Sequence, residues 1–591
     1  MKRRLIGALL AVAMLGGCAA VPTKGTIRSG ERAGQAPDLG GVGVEAKPPR
    51  ANVDDLTIVS GFLEAMSDSQ AYDVARQYMT PEAAGNWKPE SQTVVYDQGA
   101  GPESLTRKNG GIQLTAKKIA VIDARGEWIP APANATADFF FKVKKVNDQY
   151  RVDSPPPGAY LGSNQVDLKL APRDLYFFNQ SRNLLVPDTV YLPQNLPSGQ
   201  AATQLIQELL KGPTKRFGNG ARSVAPPGTE VQVSVPVDLG VATVALNDAA
   251  GSLRDTDRQL LAAQIVWTLN QLNLRAKITV SGAPLLPDNP DVLPFTNFSP
   301  YDPQVSGNAM TKLYGLLKQV PQRIVGLDGS SEIAAQPVND GPLAGYKAKA
   351  FAVTVQGDAG AIVTADGKQV VYGLLDPGGK DGKKAIVPVD GTTLPPSFDY
   401  EDNLWILDKS ESNHPRLRVR SDDGTLSTVQ TDFKGDTPIA LRMAPDGVRA
   451  LLVMQSAGST QKYIETATVQ TVNGGKDLAL ATFRPLRLAL TNITDAGWSK
   501  QGIIVVGSGG SPGNATRQVW SVNPDGSSLQ LLPGSTPDFS PEHVASNTNK
   551  DTLPVIQDDA GHIHWLTKDL TWTSMDTADN GSPVIIPTYP G

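Results

Sequence analysis

The second half of this 591-residue chain repeats a crude unit: a small polar turn ending in Gly, once in Asn, followed by an apolar run. It occurs as IVTADGKQVVYG (362–373), SFDYEDNLWILD (397–408), LRMAPDGVRALLVM (441–454), AGWSKQGIIVVG (496–507) and IQDDAGHIHWLT (556–567), with IVGLDGSSEIAA (324–335) as a further copy. The turn residues Gly329, Gly367, Asn403, Gly447, Gly502 and Gly561 are spaced by 38, 36, 44, 55 and 59, near the ~40–50-residue period of propeller blades. Tight turns between paired strands need positive φ, which Gly adopts freely. No amphipathic helical period appears beyond about residue 315, and a ring of four-stranded blades leaves few open sheet edges. Residues 315–591 are therefore expected to form an all-β propeller of about six blades, with five and seven open. Its last strand is expected from the tail SPVIIPTYPG or from a segment near 311–326.

The start of the chain is of another kind. MKRR is followed by the apolar, uncharged run Leu5–Leu15, too short for the roughly 20 residues of a membrane span, and then by Gly16, Gly17 and Cys18. Basic head, short apolar run and small residues make a secretion signal over 1–17. Cys18 is the only cysteine of the chain. LGGC resembles a bacterial lipobox, with Gly16 a less usual occupant of its position. That resemblance implies S-diacylglycerol and N-acyl modification of Cys18 and a chain held at the outer face of the cell membrane. Residues 18–53, rich in Gly, Pro and small polar groups with no apolar period, read as a flexible tether.

The remaining length exceeds what one core usually serves. Three of the 54 basic residues lie in 1–17, so the formal charge of −5 becomes −8 after cleavage. That balance disfavours nucleic acid as a partner.

Residues 54–160 read as an α+β domain. Asp54-Asp55 cap a helix carrying Leu56, Val59, Phe62, Leu63 and Met66. Tyr72, Ala75, Tyr78 and Met79 form a second set that Pro81 stops. Strands are expected at 117–123, 126–130 and 138–156, the last a hairpin turning at Asn147-Asp148. Helices followed by curved antiparallel strands resemble an NTF2-like cone. SPPPGAY (154–160) marks the boundary.

Next come two strands joined by a turn (173–193), a helix (198–215) ended by Gly212-Pro213, and strands at 229–238 and 240–248. A helix opening at Asp255 carries Leu261, Ile265, Leu269 and Leu272 on one side, and a strand follows at 276–282. The run LYFFN, LVPDTVYLP, QELLKGP, SVAPPGTEVQVSV, GVATVALN, IVWTLNQL and ITVSG resembles the GerMN (germane) module over 173–290, an α+β assembly module that brings no catalytic residue with it. Signal, lipobox, tether, α+β domain, GerMN and propeller together resemble the LpqB family. That resemblance implies a lipoprotein that binds the extracytoplasmic domain of a sensor histidine kinase in a two-component system, with effects on cell wall metabolism and division. A receptor for an envelope glycan or peptide, and a propeller hydrolase, are the alternatives.

Candidate chemistry is sparse. His562 and His564 alternate on a strand, so their rings share a face, but no acidic partner at a recognised spacing completes a metal site. GGSPG (509–513) fits G-x-S-x-G but lacks the following helix that a nucleophile elbow needs. Asp-Gly at 366–367, 446–447 and 525–526 reads as turns, because no full calcium ligand set accompanies it. His414 and His543 stand alone. Trp405, Trp498, Trp520 and Trp565 read as blade core. The expectation is no catalytic residue, no cofactor and no metal.

Overall fold

A computed structural model describes residues 46–591 except 67–71, 99–104, 289–290, 305–308, 327–333, 339–340, 376–383, 501, 511–515, 535–537, 568 and 576–584. The signal, Cys18, most of the tether, Gly329 and Ser511 lie outside the described residues.

The chain packs earlier than its composition suggests. Residues 46–53, assigned to the tether, lie on the N-terminal domain: Ala46 and Val53 pack against its core, and Tyr78 Oη donates to the Lys47 carbonyl at 2.8 Å. The helix Asp55–Ala65 is capped as expected, with Asp54 Oδ1 accepting from the Thr57 amide at 2.9 Å. Its buried face is Ile58, Val59, Phe62 and Ala65, turned from the expected one, with Leu56 and Leu63 only partly covered. Pro81 does not merely stop the next helix, Asp73–Gln77. It opens another, Pro81–Asn86, capped by Thr80, because proline suits a first helical turn.

The long strand Gly111–Asp123 organises the sheet. It pairs with Thr136–Val146, Gln92–Tyr96, Leu105–Lys108 and Trp128–Pro130, with Gln149–Ser154 and Ala159–Gly162 at the flanks. The hairpin turns at Asn147 and Asp148, both with positive φ (51° and 59°), and pairs Val146 with Gln149. Phe139 and Phe141 face the helices, where Phe62, Trp87 and Tyr160 complete an aromatic core.

In the second module Leu170–Phe178 and Leu185–Pro193 form the expected hairpin. The strand expected over 229–238 is reduced to Val237–Asp238. Pro236 has no amide to offer a ladder; Gln232 and the Pro236 carbonyl still bond to Ala245 and Thr243, and between them the chain loops out, leaving Val233 86% exposed. The helix Asp255–Asn270 joins the parallel strands Val241–Leu246 and Arg275–Val280. It buries every residue from Leu261 to Leu269 rather than one side. The hairpin, the helix Ser198–Leu210 and the turn at Phe295–Tyr301 enclose it. Its buried Gln264 is satisfied by backbone, accepting from the Val224 amide at 2.9 Å and donating to the Tyr176 carbonyl at 2.8 Å.

The C-terminal region is β-rich and propeller-like, with no α-helix among the described residues beyond 315. Among the described residues six antiparallel four-stranded ladders follow one another. The first holds Leu313–Leu317, Val320–Val325, Ala334–Pro337 and the tail strand Ile585–Thr588. Tail and 311–326 segment, set as alternatives on sequence, thus lie in one sheet. The second spans 348–388, the third 397–430, the fourth 437–485, the fifth 490–531 and the sixth 541–574. The third and fourth are joined edge to edge through Val429–Leu478. The strands opening the second to sixth ladders, and Ile585–Thr588, touch in succession and close on themselves.

The repeated turns prove to be of two kinds. Asn403, Gly447 and Gly502 lie between the first and second strands of their ladders, whereas Gly367 and Gly561 lie between the second and third. Any tight hairpin turn recruits the same residues, so the repeated unit marks turns of either kind. At 399–403 the left-handed residue is Asp402 (φ 57°) and not Asn403.

Candidate functional site

The sequence motifs resolve into local structure. Asp446 spends both carboxylate oxygens within its own turn, accepting from the Val448 and Arg449 amides (2.8 and 3.0 Å) and from Arg449 Nε (2.7 Å). Asp366 uses Oδ1 in the same local way, accepting from Thr364 Oγ1 and the Lys368 amide. Gly509 ends one strand of an antiparallel pair whose partner is Gln518–Val522, and the rest of the motif, 511–513, lies outside the described residues. Trp405, Trp498 and Trp565 are buried, and Trp520 is half-buried with Nε1 donating to the Gly507 carbonyl.

The histidines do have an acidic partner, which sequence reasoning missed. Asp558 Oδ2 lies 2.8 Å from His564 Nε2 and 3.6 Å from His562 Nδ1, while Oδ1 accepts from the Ala560 and His562 amides. Phe539 stacks on His564 at 3.7 Å. No group of three or more His, Cys, Asp or Glu able to hold a metal occurs among the described residues. His543 sits 3.5 Å from buried Asp495, which also faces Arg442. The bond to Asp495 holds the His543 imidazole above its ordinary pKa.

The more extensive arrangements lie between modules. The tip of the hairpin joining Leu170–Phe178 to Leu185–Pro193 is seated among first turns of the ladders. Asn179 Nδ2 donates to the Asp446 carbonyl, Asn183 Nδ2 donates to Glu401 at 2.8 Å, and buried Leu184 packs with Met310, Val355 and Tyr400. Asn219 exchanges two hydrogen bonds with the Thr471 backbone (2.7 and 3.1 Å), and Thr468 Oγ1 donates to the Arg216 carbonyl. The N-terminal domain is tied in on both sides. Arg125 reaches Glu208 and the Gly212 carbonyl of the second module, and Arg484 of the fourth ladder meets Glu127.

A cavity of about 310 Å³ lies between the second module and the fourth and fifth ladders. Arg216, Arg449 and Arg484 line it, yet each faces its own carboxylate: Asp188, Asp446 and Glu127. The pairs offset one another's charge, as buried ions require. Burial drives up the pKa of Asp174 on its wall, against the opposing bond from Thr189.

Three separate family models match the chain in this same order. Residues 48–167 match the lipoprotein LpqB N-terminal domain, 174–286 match the Germane model of sporulation and spore germination, and 326–590 match the LpqB beta-propeller domain. Proteins named lipoprotein LpqB align along nearly the whole length. That of Streptomyces coelicolor is 28% identical over 98% of this chain and 96% of its own, and that of Streptomyces avermitilis is 27% identical with the same shares. The chain belongs to the LpqB lipoprotein family. A relative in Mycolicibacterium smegmatis is 24% identical over 77% of this chain and 79% of its own. In LpqB terms, the hairpin seat joins the Germane module to the beta-propeller domain, and the Arg484–Glu127 pair joins that domain to the N-terminal one. No helix among the described residues is long and apolar enough to cross a membrane.

Proposed function

We propose that this chain is a membrane-anchored extracytoplasmic lipoprotein that binds and modulates the outer domain of a two-component sensor kinase, and through it influences cell wall metabolism and division. The anchor is lipid on Cys18, S-diacylglycerol with N-acyl, after removal of 1–17. The N-terminal domain is NTF2-like in this reading, and the six ladders are blades of one ring that the tail strand closes. No catalytic step is assigned.

One observation carries the reading: hydrogen-bonded and ion-paired seats bind the Germane module and the N-terminal domain to the ladders. Modules joined in this way present fixed surfaces to a partner, where independent modules on linkers would not. Membership of a family of lipoproteins supports the anchor.

The test is crosslinking in intact envelopes followed by recovery of this chain. A sensor kinase is expected in the crosslinked product and is expected to be depleted with Cys18→Ala, which also takes up no labelled lipid. Recovery without any sensor protein overturns the kinase reading, and lipid on the Cys18→Ala protein overturns the anchor.

A further inference from the structure

Between the N-terminal domain and the fourth and fifth ladders runs a groove of about 440 Å³. One wall is the strand Gly111–Asp123 at Lys117, Lys118 and Ile119. The other is formed by Lys462 in the fourth ladder and by Arg487 and Leu488 in the link to the fifth. The groove therefore exists only because two modules are docked.

Its charge is one-sided. Lys117 and Arg487 are exposed, and Lys118 and Lys462 are half-buried. None of the four pairs with a described carboxylate within 4 Å. Asp167, which accepts from Ser528 Oγ at 3.3 Å, is the one acid among the described lining residues. The buried Glu465, two residues on from Tyr463, is pushed up to about 7 by burial, which leaves much of its carboxyl uncharged near neutrality. The arginines of the 310 Å³ cavity, in contrast, are neutralised one by one. With 59 acidic and 54 basic residues, the chain as a whole is acidic, so a patch of four unpaired cations does not follow from composition. Between the cations the lining is apolar, with Ile119, Leu488 and Leu529 half-exposed and Ile464 and Ile493 beneath.

We infer that this groove binds an extended acidic segment of a partner protein, its carboxylates against Lys117, Lys118, Lys462 and Arg487 and its apolar side chains over Ile119, Leu488 and Leu529. Charge complementarity selects the acid, and the apolar lining selects a peptide over a bare phosphate polymer, which has nothing to lay against it. A flat bilayer does not enter a cleft between two modules. The chain's own residues 18–45 do not fit, because Lys24, Arg28 and Arg32 balance Glu31, Asp38 and Glu45.

The test is fluorescence anisotropy on the full lipidated chain in detergent micelles. The probe is a fluorescein-labelled peptide of Asp-Leu-Asp-Ser repeats, with a Lys-Leu-Lys-Ser counterpart. The acidic peptide is expected to bind, to weaken as salt rises, and to lose about tenfold or more in affinity in Lys117→Glu/Lys118→Glu. Lys462→Glu, on the opposite module, is expected to act in the same direction, while Lys144→Glu, outside the groove, keeps full affinity. Near-ultraviolet circular dichroism checks that each variant is folded. Equal binding of the two peptides, or affinity unchanged by reversal on both walls, overturns the inference. Binding of inorganic polyphosphate or phosphatidylglycerol vesicles that is lost on reversal, with no peptide binding, also overturns it and assigns the groove to phosphates. None of these outcomes depends on a kinase being the partner.

Discussion

Arg484 Nη1 lies 2.7 Å from Glu127 Oε1, and the Glu127 carboxylate is almost fully enclosed, with 2% of its side chain exposed. The pair joins the fourth ladder to the N-terminal domain. Burial pushes the Glu127 pKa up, and the guanidinium opposes it. Replacing Arg484 with Met is expected to cost about 3 kcal/mol near neutral pH, since a buried charge then loses its partner. Removing Arg484 raises the Glu127 pKa further. A raised carboxylate pKa favours the folded state only while the group is protonated, so the deficit shrinks as pH falls. Adding Glu127→Gln to Arg484→Met is expected to recover part of the loss. Denaturant unfolding at pH 5 and pH 8 measures both effects.

Gly220 is a point of close approach between the Germane module and the fourth ladder. A Cβ there would stand 2.5 Å from the Val469 carbonyl oxygen and 2.6 Å from Thr468 Cγ2. The carbonyl belongs to a paired strand and cannot yield, so Gly220→Val is expected to pry the two apart at a cost of about 2 kcal/mol. Hydrogen exchange is expected to speed up at the Thr471 amide, which donates to Asn219, while the N-terminal sheet stays protected.

Glu465 provides a pH signature. Its pKa is about 7, raised first by burial and then by Asp436, against Lys434 and Arg487. The unfolded chain ionises it near 4.5, so the folded state holds the extra proton between about 4.5 and 7 and stability falls as pH rises through that window. Glu465→Gln is expected to leave stability unchanged at pH 4 and to raise it by about 3 kcal/mol at pH 8. Thermal unfolding across that range checks the sign.

The tail strand completes the first ladder. Ile585 is fully buried, pairs opposite Leu317, and offers its carbonyl to Gln557 Nε2 at 2.7 Å, while its amide donates to the Gly561 carbonyl. Ile585→Ala is expected to cost about 3 kcal/mol. Deletion of 585–591 uncovers the edge of Leu313–Leu317 and is expected to give oligomers through that edge, visible by light scattering.

Much of the local structure was legible in the residues alone. Asp54 announces its helix, Asn147-Asp148 its turn, and alternating Val and Ile their strands, because each rests on neighbours within a few positions. The same locality explains what was misread. A hairpin turn looks alike wherever it falls in a ladder, so Gly367 and Gly447 read alike in the sequence. Pro236 lies within an apolar alternation, yet the ladder is interrupted between Gln232 and Pro236, where the chain loops out between two backbone bonds to the next strand. The partnership of Asp558 with His564 depends on how one turn folds back over its strand.

The sequence by itself determined the order of modules and the family, because strand and helix periods and module motifs are written consecutively. Only the tertiary structure decided what those modules do to one another. Lys117 and Lys118 are ordinary cations on a strand, and Lys462 and Arg487 ordinary cations near turns, until docking sets them around one groove. Arg216, Arg449 and Arg484 look no different in the chain, yet Arg216 and Arg449 find their carboxylates within their own modules, and only docking brings Arg484 to Glu127. Pairing across hundreds of residues leaves no trace in local pattern, since the energy that selects it comes from burial and charge brought together by the fold.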